Sequence, residues 1–506
     1  MKYINNYLTY TDFTDIIFNG QKIEISTEVQ ERVEKSFHFL KDFSTNKIIY
    51  GVNTGFGPMA QYRIEDQNTR QLQYNLIRSH STGTGNPLAA QFVKAAMLAR
   101  LNSMSLGNSG VHPSVIHLIK EFLNRDITPL IFEHGSVGAS GDLVQLAHLA
   151  LTLIGEGEVW YKGERCRTKD VLTAEGLQPI SVEIREGLAL MNGTSVMTGI
   201  GAVNVRQAER LLQLMIEVSS IINEIVEAYD DHLSDELNRV KLHKGQQYVA
   251  LKMREIISDS KLIRKRAEHL YSGENQEEVF KDKVQEYYSL RCVPQILGPV
   301  YETIRNAGNV IENEFNSAND NPIIDVASGN VYHGGNFHGD YVALEMDKLK
   351  IAITKLTMLA ERQLNYLLNA KINEILPPFV NLGKLGFNFG MQGAQFTATS
   401  TTAESQTLSF PMYVHSIPNN NDNQDVVSMG TNAAVIASKV IENAFQVISI
   451  ELITIAQAVD YLNAENKLSA SSANLYRKIR AIIPVFNEDA PLYEKIKEVT
   501  DFLKNY

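Results

Sequence analysis

Residues 441–459, IENAFQVISIELITIAQAV, put apolar side chains at Ile441, Phe445, Ile448, Leu452, Ile455 and Val459. The steps alternate four and three, which keeps all six on one face of a long helix. Two more stretches carry the same near-heptad rhythm: Leu211, Met215, Val218, Ile222 and Ile225, then Val342, Met346, Leu349, Ile353, Leu356 and Ala360. Stripes so spaced interlock when helices lie nearly antiparallel and cross at shallow angles. The expected fold is mainly α, with a long central helical bundle. Its stripes form the core, and its other faces are wide enough to meet neighbouring subunits.

Ahead of the first stripe the texture differs. Glycine-rich turns at residues 51–57, 83–85, 107–110 and 135–141 break the chain into short helical and extended pieces. Loops of that density usually carry chemistry. The full 506 residues also exceed one simple core. Two domains are expected: a looped N-terminal one over residues 1–195, and a long-helix bundle with a helical C-terminal region over residues 196–506. Asn419-Asn420-Asn421 is too short to count as low complexity.

Hydrophobic residues make up 44% and charged residues 21% of the chain, the balance of an ordinary folded protein. A net charge of −11, with the acidic residues dispersed, leaves no electrostatic footprint for nucleic acid. The cluster Arg264, Lys265 and Arg266 is soon followed by Glu268 and reads as a solvated face. Cys166 and Cys292 make neither a disulfide framework nor a zinc site, so no metal is expected. Residues 1–10 lack the basic start and apolar run of a targeting segment, and no stretch approaches bilayer-spanning length. A cytoplasmic protein without a membrane partner is expected, which makes the glycosylation-like Asn192-Gly193-Thr194 accidental.

The most informative chemistry lies in His134-Gly135-Ser136-Val137-Gly138-Ala139-Ser140-Gly141-Asp142-Leu143. A hydrolase nucleophile elbow needs glycine two residues after its serine, whereas Gly141 follows Ser140 directly. A phosphate-cradling loop needs a lysine after its glycines, and none is there. Ala-Ser-Gly permits a different reaction. With only a methyl on Ala139 and no side chain on Gly141, the chain can bend until the Gly141 amide nitrogen attacks the Ala139 carbonyl. Loss of water from the ring and from Ser140 then leaves a methylidene-imidazolone, an electrophile made without an added cofactor. On spacing alone, a tight turn of small residues is the commoner explanation.

The company this segment keeps weighs against the plain turn. Tyr50-Gly51-Val52-Asn53-Thr54-Gly55-Phe56-Gly57, residues 138–142, Asn192-Gly193-Thr194, Tyr288-Ser289-Leu290-Arg291, the Asn-Ser-x-x-Asp-Asn-Pro run at 316–322 and Gly335-Asn336-Phe337-His338 follow one another in order. From Tyr50 to beyond Gly430 the chain resembles the histidine, phenylalanine and tyrosine ammonia-lyase family. The resemblance implies a fold of the fumarase/aspartase-like superfamily and a homotetramer with shared active sites. It also implies a 4-methylidene-imidazol-5-one (MIO) made from Ala139, Ser140 and Gly141, with no external cofactor. By the same resemblance Tyr50 is the catalytic base, Asn192 steadies the prosthetic group, Tyr288 and Arg291 form the tyrosine and carboxylate-binding arginine segment, and Phe337 sits in a further active-site loop.

The chemistry is consistent with those roles. Ammonia elimination removes a weakly acidic proton from the carbon beside the ring and expels a poor leaving group, so it needs a base and an electron sink. An unperturbed tyrosine ionises near pH ~10, and an alkaline activity optimum is expected. Arg291 offers a two-pronged donor for a carboxylate, although a salt bridge within the bundle would explain it equally well in isolation. Asn192 and Gln285 supply neutral hydrogen bonds, and Tyr288 either supports Tyr50 or packs.

Substrate signals are mixed. Ser79-His80 resembles the selectivity pair of histidine-type enzymes, and Glu404 resembles an acid of those enzymes that suits an imidazole. Asn423-Gln424-Asp425-Val426 instead resembles the phenylalanine and tyrosine enzymes, and residues 386–391 depart from the histidine pattern. Over its length the chain most resembles bacterial tyrosine ammonia-lyases of the Bacteroidetes type. The expected reaction is L-tyrosine to p-coumarate and ammonia, with His80 bonding the phenol hydroxyl and Phe337 and Gln424 contributing to the substrate site. L-Histidine to urocanate is the alternative, and an aminomutase, which returns the amine to the neighbouring carbon, shares every motif. Phenylalanine would leave His80 and Glu404 without partners, at about 1–3 kcal/mol each if buried. A silent scaffold of the same fold predicts loss of Tyr50, Ser140 or Arg291, and all three are present.

Overall fold

The computed structural model describes residues 1–271, 278–280 and 283–506. Its long helices are Ser195–Ile225, Val293–Phe315, Asp340–Leu368 and Gly430–Tyr461. All residues of the three apolar stripes fall on these helices and are at most 4% exposed, as their spacing requires of a core face.

Gly430–Tyr461 corrects one sequence expectation. This helix is long and apolar enough to cross a membrane, and 67% of its most apolar window is buried within the protein. Its apolar character is that of a core helix, which also buries Asn443, Ser449 and Glu451.

The chain forms two compact units. The first gathers Met1–Arg206, Asn306–Asp347 and Pro411–Ser438, and the second Gln207–Arg305, Lys348–Phe410 and Lys439–Tyr506. Each unit takes in three separated stretches, while the change of texture near residue 195 coincides with the start of Ser195–Ile225.

In the first unit the strands are short. Lys2–Ile4 pairs in parallel with Ile23–Ile25, with Lys2 opposite Ile23. Thr84–Pro87 with Phe132–His134, and Ile323–Asp325 with Asn330–Tyr332, make antiparallel pairs. Glu158–Tyr161 lies between Thr128–Pro129 and Glu164–Arg167 in a three-stranded sheet. Thr128–Pro129 and Phe132–His134 pack against the second of a trio of mutually packed helices, Thr69–His80, Leu143–Leu153 and Glu186–Met191. The trio determines the site: His80 ends the first helix, the Ala139-Ser140-Gly141 turn leads into the second, and Asn192 follows the third.

In the second unit, polar ties sit among the apolar stripes. Gln363 donates to the Ser219 hydroxyl at 3.0 Å and to the Ser289 carbonyl at 2.7 Å. Buried Glu224 accepts from the Ser469 amide and from the hydroxyls of Ser469 and Ser472. Such ties satisfy polar groups that burial would otherwise penalise.

Candidate active site

Gly141 has a left-handed φ of +73°, and a Cβ there would lie 2.0 Å from the Gly193 carbonyl oxygen. Only glycine permits that approach. The two segments are joined where Asp142 N donates to Gly193 O at 2.8 Å and Gly193 N points to Ser140 O at 3.4 Å. Asn192 Nδ2 donates to the same Ser140 carbonyl at 2.8 Å, while its Oδ1 accepts from Asn321 N at 2.7 Å. Gln424 Nε2 donates to Ser140 Oγ at 2.9 Å. Buried Ala139, the clasped Ser140 carbonyl and the side-chain-free Gly141 thus sit in one tight turn.

Asp142 ties this turn to two long helices. Its Oδ2 accepts from Val196 N and Met197 N, both at 2.9 Å, capping orphan donors in the first turn of Ser195–Ile225. Its Oδ1 accepts from Ser136 Oγ at 2.8 Å and from Thr431 Oγ1, near the start of Gly430–Tyr461. Burial pushes the carboxyl above its usual range, against the pull of those donors.

Ser140 opens on a cavity of about 450 Å³ lined by Tyr50, Phe56, Leu76, His80, Leu143, Leu188, Asn192, Asn321, His333, Phe337, Asn420, Asn423 and Gln424. That is the size of a small-molecule site. Gly57 N donates to Tyr50 Oη at 3.0 Å, so this contact does not engage the phenol's own proton. The Tyr50 ring meets Phe56 edge-on. His80 Nδ1 lies 3.0 Å from the Leu76 carbonyl. Ser79 Oγ lies at the same distance from Nδ1, and the tautomer that donates from Nδ1 to the carbonyl leaves Nε2 as an acceptor.

Gln424 reaches Ser140 from an unusual turn. Asn420, Asn421 and Asp422 all have positive φ, and Asn419 and Gln424 close the loop with reciprocal backbone bonds of 3.2 and 3.3 Å. Asn and Asp are the non-glycine residues that best tolerate this conformation.

The cavity therefore brings together Tyr50, His80, Ser140, Asn192, Phe337 and Gln424, with Ala139 and Gly141 flanking Ser140. Gln285, Tyr288, Arg291 and Glu404 belong to the second unit. There Gln285 and Tyr288 line a depression of about 790 Å³ with Tyr287, Arg362 and Tyr366. The Arg291 guanidinium lies 4.8 Å from the centre of the Tyr288 ring, and Tyr288 is 70% exposed. Glu404, on Gln392–Leu408, accepts from Asn443 Nδ2 at 2.7 Å and lies 3.7 Å from Lys439 Nζ. Sequence reasoning did not single out His333, which carries no motif of its own, and it quoted Asn420 only as part of a short asparagine run. It quoted Asn321 only within a longer run.

The Gly141 turn leaves no room for a side chain against Gly193 and has both the Ser140 carbonyl and hydroxyl held, as an electrophile drawn from the backbone would need. The chain belongs to the aromatic amino acid lyase family, whose model matches residues 8–481. The tyrosine 2,3-aminomutase of Chondromyces crocatus is 38% identical over 99% of this chain and 96% of its own length. The histidine ammonia-lyase of Caldanaerobacter subterraneus subsp. tengcongensis is likewise 38% identical, over 99% of this chain and 96% of its own. The tyrosine aminomutase from Streptomyces globisporus superposes with a TM-score of 0.95 at 35% identity, covering 100% of this chain and 97% of that one. The fold is that of the fumarase/aspartase-like superfamily, and the enzyme is a carbon–nitrogen lyase by family.

The family's prosthetic group is the self-derived MIO, with no external cofactor. Residues 139–141 fit it: the Gly141 nitrogen is unencumbered, the Ser140 carbonyl is held by Asn192, and the Ser140 hydroxyl is held by Gln424. Once formed, the group supplies an electrophilic carbon.

Proposed function

We propose that the enzyme eliminates ammonia from L-tyrosine to give p-coumarate. His80 carries this reading. In the tautomer whose Nδ1 donates to the Leu76 carbonyl, Nε2 offers one lone pair beside the apolar walls of Phe56 and Leu76, and a phenol hydroxyl is a donor that matches it. A substrate imidazole brings both an N–H and a bare nitrogen, and it needs two partners. Gln424 adds support: its amide donates to Ser140 Oγ, and it lies in the run Asn423-Gln424-Asp425-Val426 that resembles the phenylalanine and tyrosine enzymes.

In this reading Tyr50 removes the proton from the carbon beside the ring, Asn192 holds the Ser140 carbonyl, and Phe337 packs on the aromatic ring. Arg291 and Gln285 bind the carboxylate, and Tyr288 assists proton removal. These last three are supplied by other subunits of a cytoplasmic homotetramer with shared sites.

Two other readings have specific support. Relatives named as histidine ammonia-lyases match nearly the whole chain, and Glu404 is an acid suited to an imidazole. The Chondromyces relative is named as an aminomutase. Purified enzyme supplied separately with L-tyrosine and L-histidine tests all three. We expect p-coumarate and free ammonia. Urocanate as the principal product would replace tyrosine with histidine, and β-tyrosine would replace the lyase with an aminomutase.

A further inference from the structure

Arg100 lies in the helix Ala90–Ser105 and is completely buried. Burying a guanidinium is costly unless its bonds compensate. Burial lowers its pKa to about 10, which leaves it charged at neutral pH. It makes no hydrogen bond of its own to the buried carboxylate of Asp320, which instead pairs with Arg185 at 3.2 Å. Arg100 Nη2 donates to the carbonyl of Ala189, and Nη1 donates to Asn319 Oδ1 at 3.3 Å.

Those two acceptors lie at the base of two arms. Ala189 precedes Asn192 by three residues on Glu186–Met191 and the residue after it, and Asn319 precedes Asn321 by two. The arms meet again where Asn321 N donates to Asn192 Oδ1, and Asn192 Nδ2 holds the Ser140 carbonyl. The guanidinium also packs directly behind Gly193, since a Cβ there would lie 2.5 Å from Arg100 Nη1 and 2.6 Å from Asn319 Oδ1. Gly193 N points at the same Ser140 carbonyl. We infer that Arg100 is a positioning residue: its planar fork braces the two arms so that Asn192 and Gly193 stay aimed at the carbonyl of the residue that becomes the electrophile. This rests on the ring-forming reading of residues 139–141.

Arg100→Lys keeps the charge and loses the fork, and Asn319→Ser cuts the same brace at its other end, together with the bonds Asn319 accepts from Ser103 Oγ and donates to Thr194 Oγ1, for which Ser103→Ala and Thr194→Val are the controls. Each is made alone and with Asn192→Ala, and each is followed by intact mass, kcat and KM. Wild type should be lighter by two waters. Both single variants should mature incompletely. Per matured site, kcat should fall at least tenfold, on the order of a lost preorganised donor, while KM moves less than about twofold. In the Asn192→Ala background each change should cost less than it does alone, the remainder being the share carried by Gly193, because coupled residues do not act additively. Should Arg100→Lys fail to fold, Asn319→Ser decides the outcome. Full maturation with wild-type kcat, or losses that multiply with Asn192→Ala, would overturn the brace. An active wild-type chain that keeps both waters would overturn the ring reading itself, a result the mass of the unmutated protein separates from failure of the brace.

Discussion

Ser140 and Gly141 are neighbours whose substitutions should fail differently. Ser140→Ala removes the hydroxyl that leaves as water but keeps the backbone's room. It should fold with an unchanged Tm, keep its full mass and show no turnover, read by circular dichroism, intact mass and assay; full turnover would exclude the proposed electrophile. Gly141→Ala adds a Cβ 2.0 Å from Gly193 O at a φ of +73°. A side chain in that conformation costs about 1–2 kcal/mol before any clash, so Tm should fall as well as maturation. A Gly141→Ala chain that melts like wild type and still loses two waters would contradict the packing of these segments. His80 belongs to the same scale: His80→Leu removes the acceptor matched to the phenol. The kcat/KM for tyrosine relative to phenylalanine should then drop roughly tenfold to a hundredfold, the worth of one buried polar partner. Identical ratios before and after would take His80 out of the specificity argument.

The short helix Glu186–Met191 carries Asn192, and its first residue makes its stability depend on pH. Buried Glu186 accepts from His112 N at 2.7 Å and Glu183 N at 2.6 Å, yet burial raises its pKa to about 7. The folded chain thus holds this proton more tightly than the unfolded one, whose glutamates titrate near ~4.3. The stabilisation is complete below that value and is lost as pH rises through about 7. Between pH 5 and 8 the loss is on the order of 3 kcal/mol. Glu186→Gln cannot ionise, so its urea midpoint should vary less over this window than that of wild type; an equal slope would assign the titration to another group. Elements of this kind show what the sequence could reveal. A repeating stripe specifies which face of a helix is buried, and Leu211, Met346 and Phe445 are indeed core. The Ala-Ser-Gly turn is legible because its chemistry needs adjacent residues. What Gly141 faces is not legible, since Gly193 comes 52 positions later and no periodicity relates them. Arg100 is hidden for another reason: an arginine in a helix reads as a solvated residue until its partners are known. Asn419-Asn420-Asn421 looked like composition, and its meaning is conformational, a left-handed turn that delivers Gln424.

At the scale of the whole molecule, periodicity identifies buried faces without naming the neighbours that cover them, so the gathering of each compact unit from three stretches was beyond its reach. The same limit applies to faces left open. Tyr288, Phe387, Phe389, Phe396 and Phe410 in the second unit are all exposed, and exposed aromatic side chains in such number suit a surface that other copies cover. If the active sites of a homotetramer are shared, Ser140 and Arg291 of one site come from different chains. Ser140→Ala and Arg291→Ala would each be inactive alone, and each would carry the group the other lacks. Co-expressed in equal amounts and assembled at random, they should form sites with both groups intact at about one quarter of the wild-type number, the product of two independent halves. The separately purified variants mixed without subunit exchange should stay inactive. Light scattering fixes the number of chains, and the assay fixes the complementation. Four chains with no recovered activity in the co-expressed pair would mean that Ser140 and Arg291 do not reach the same site from different subunits.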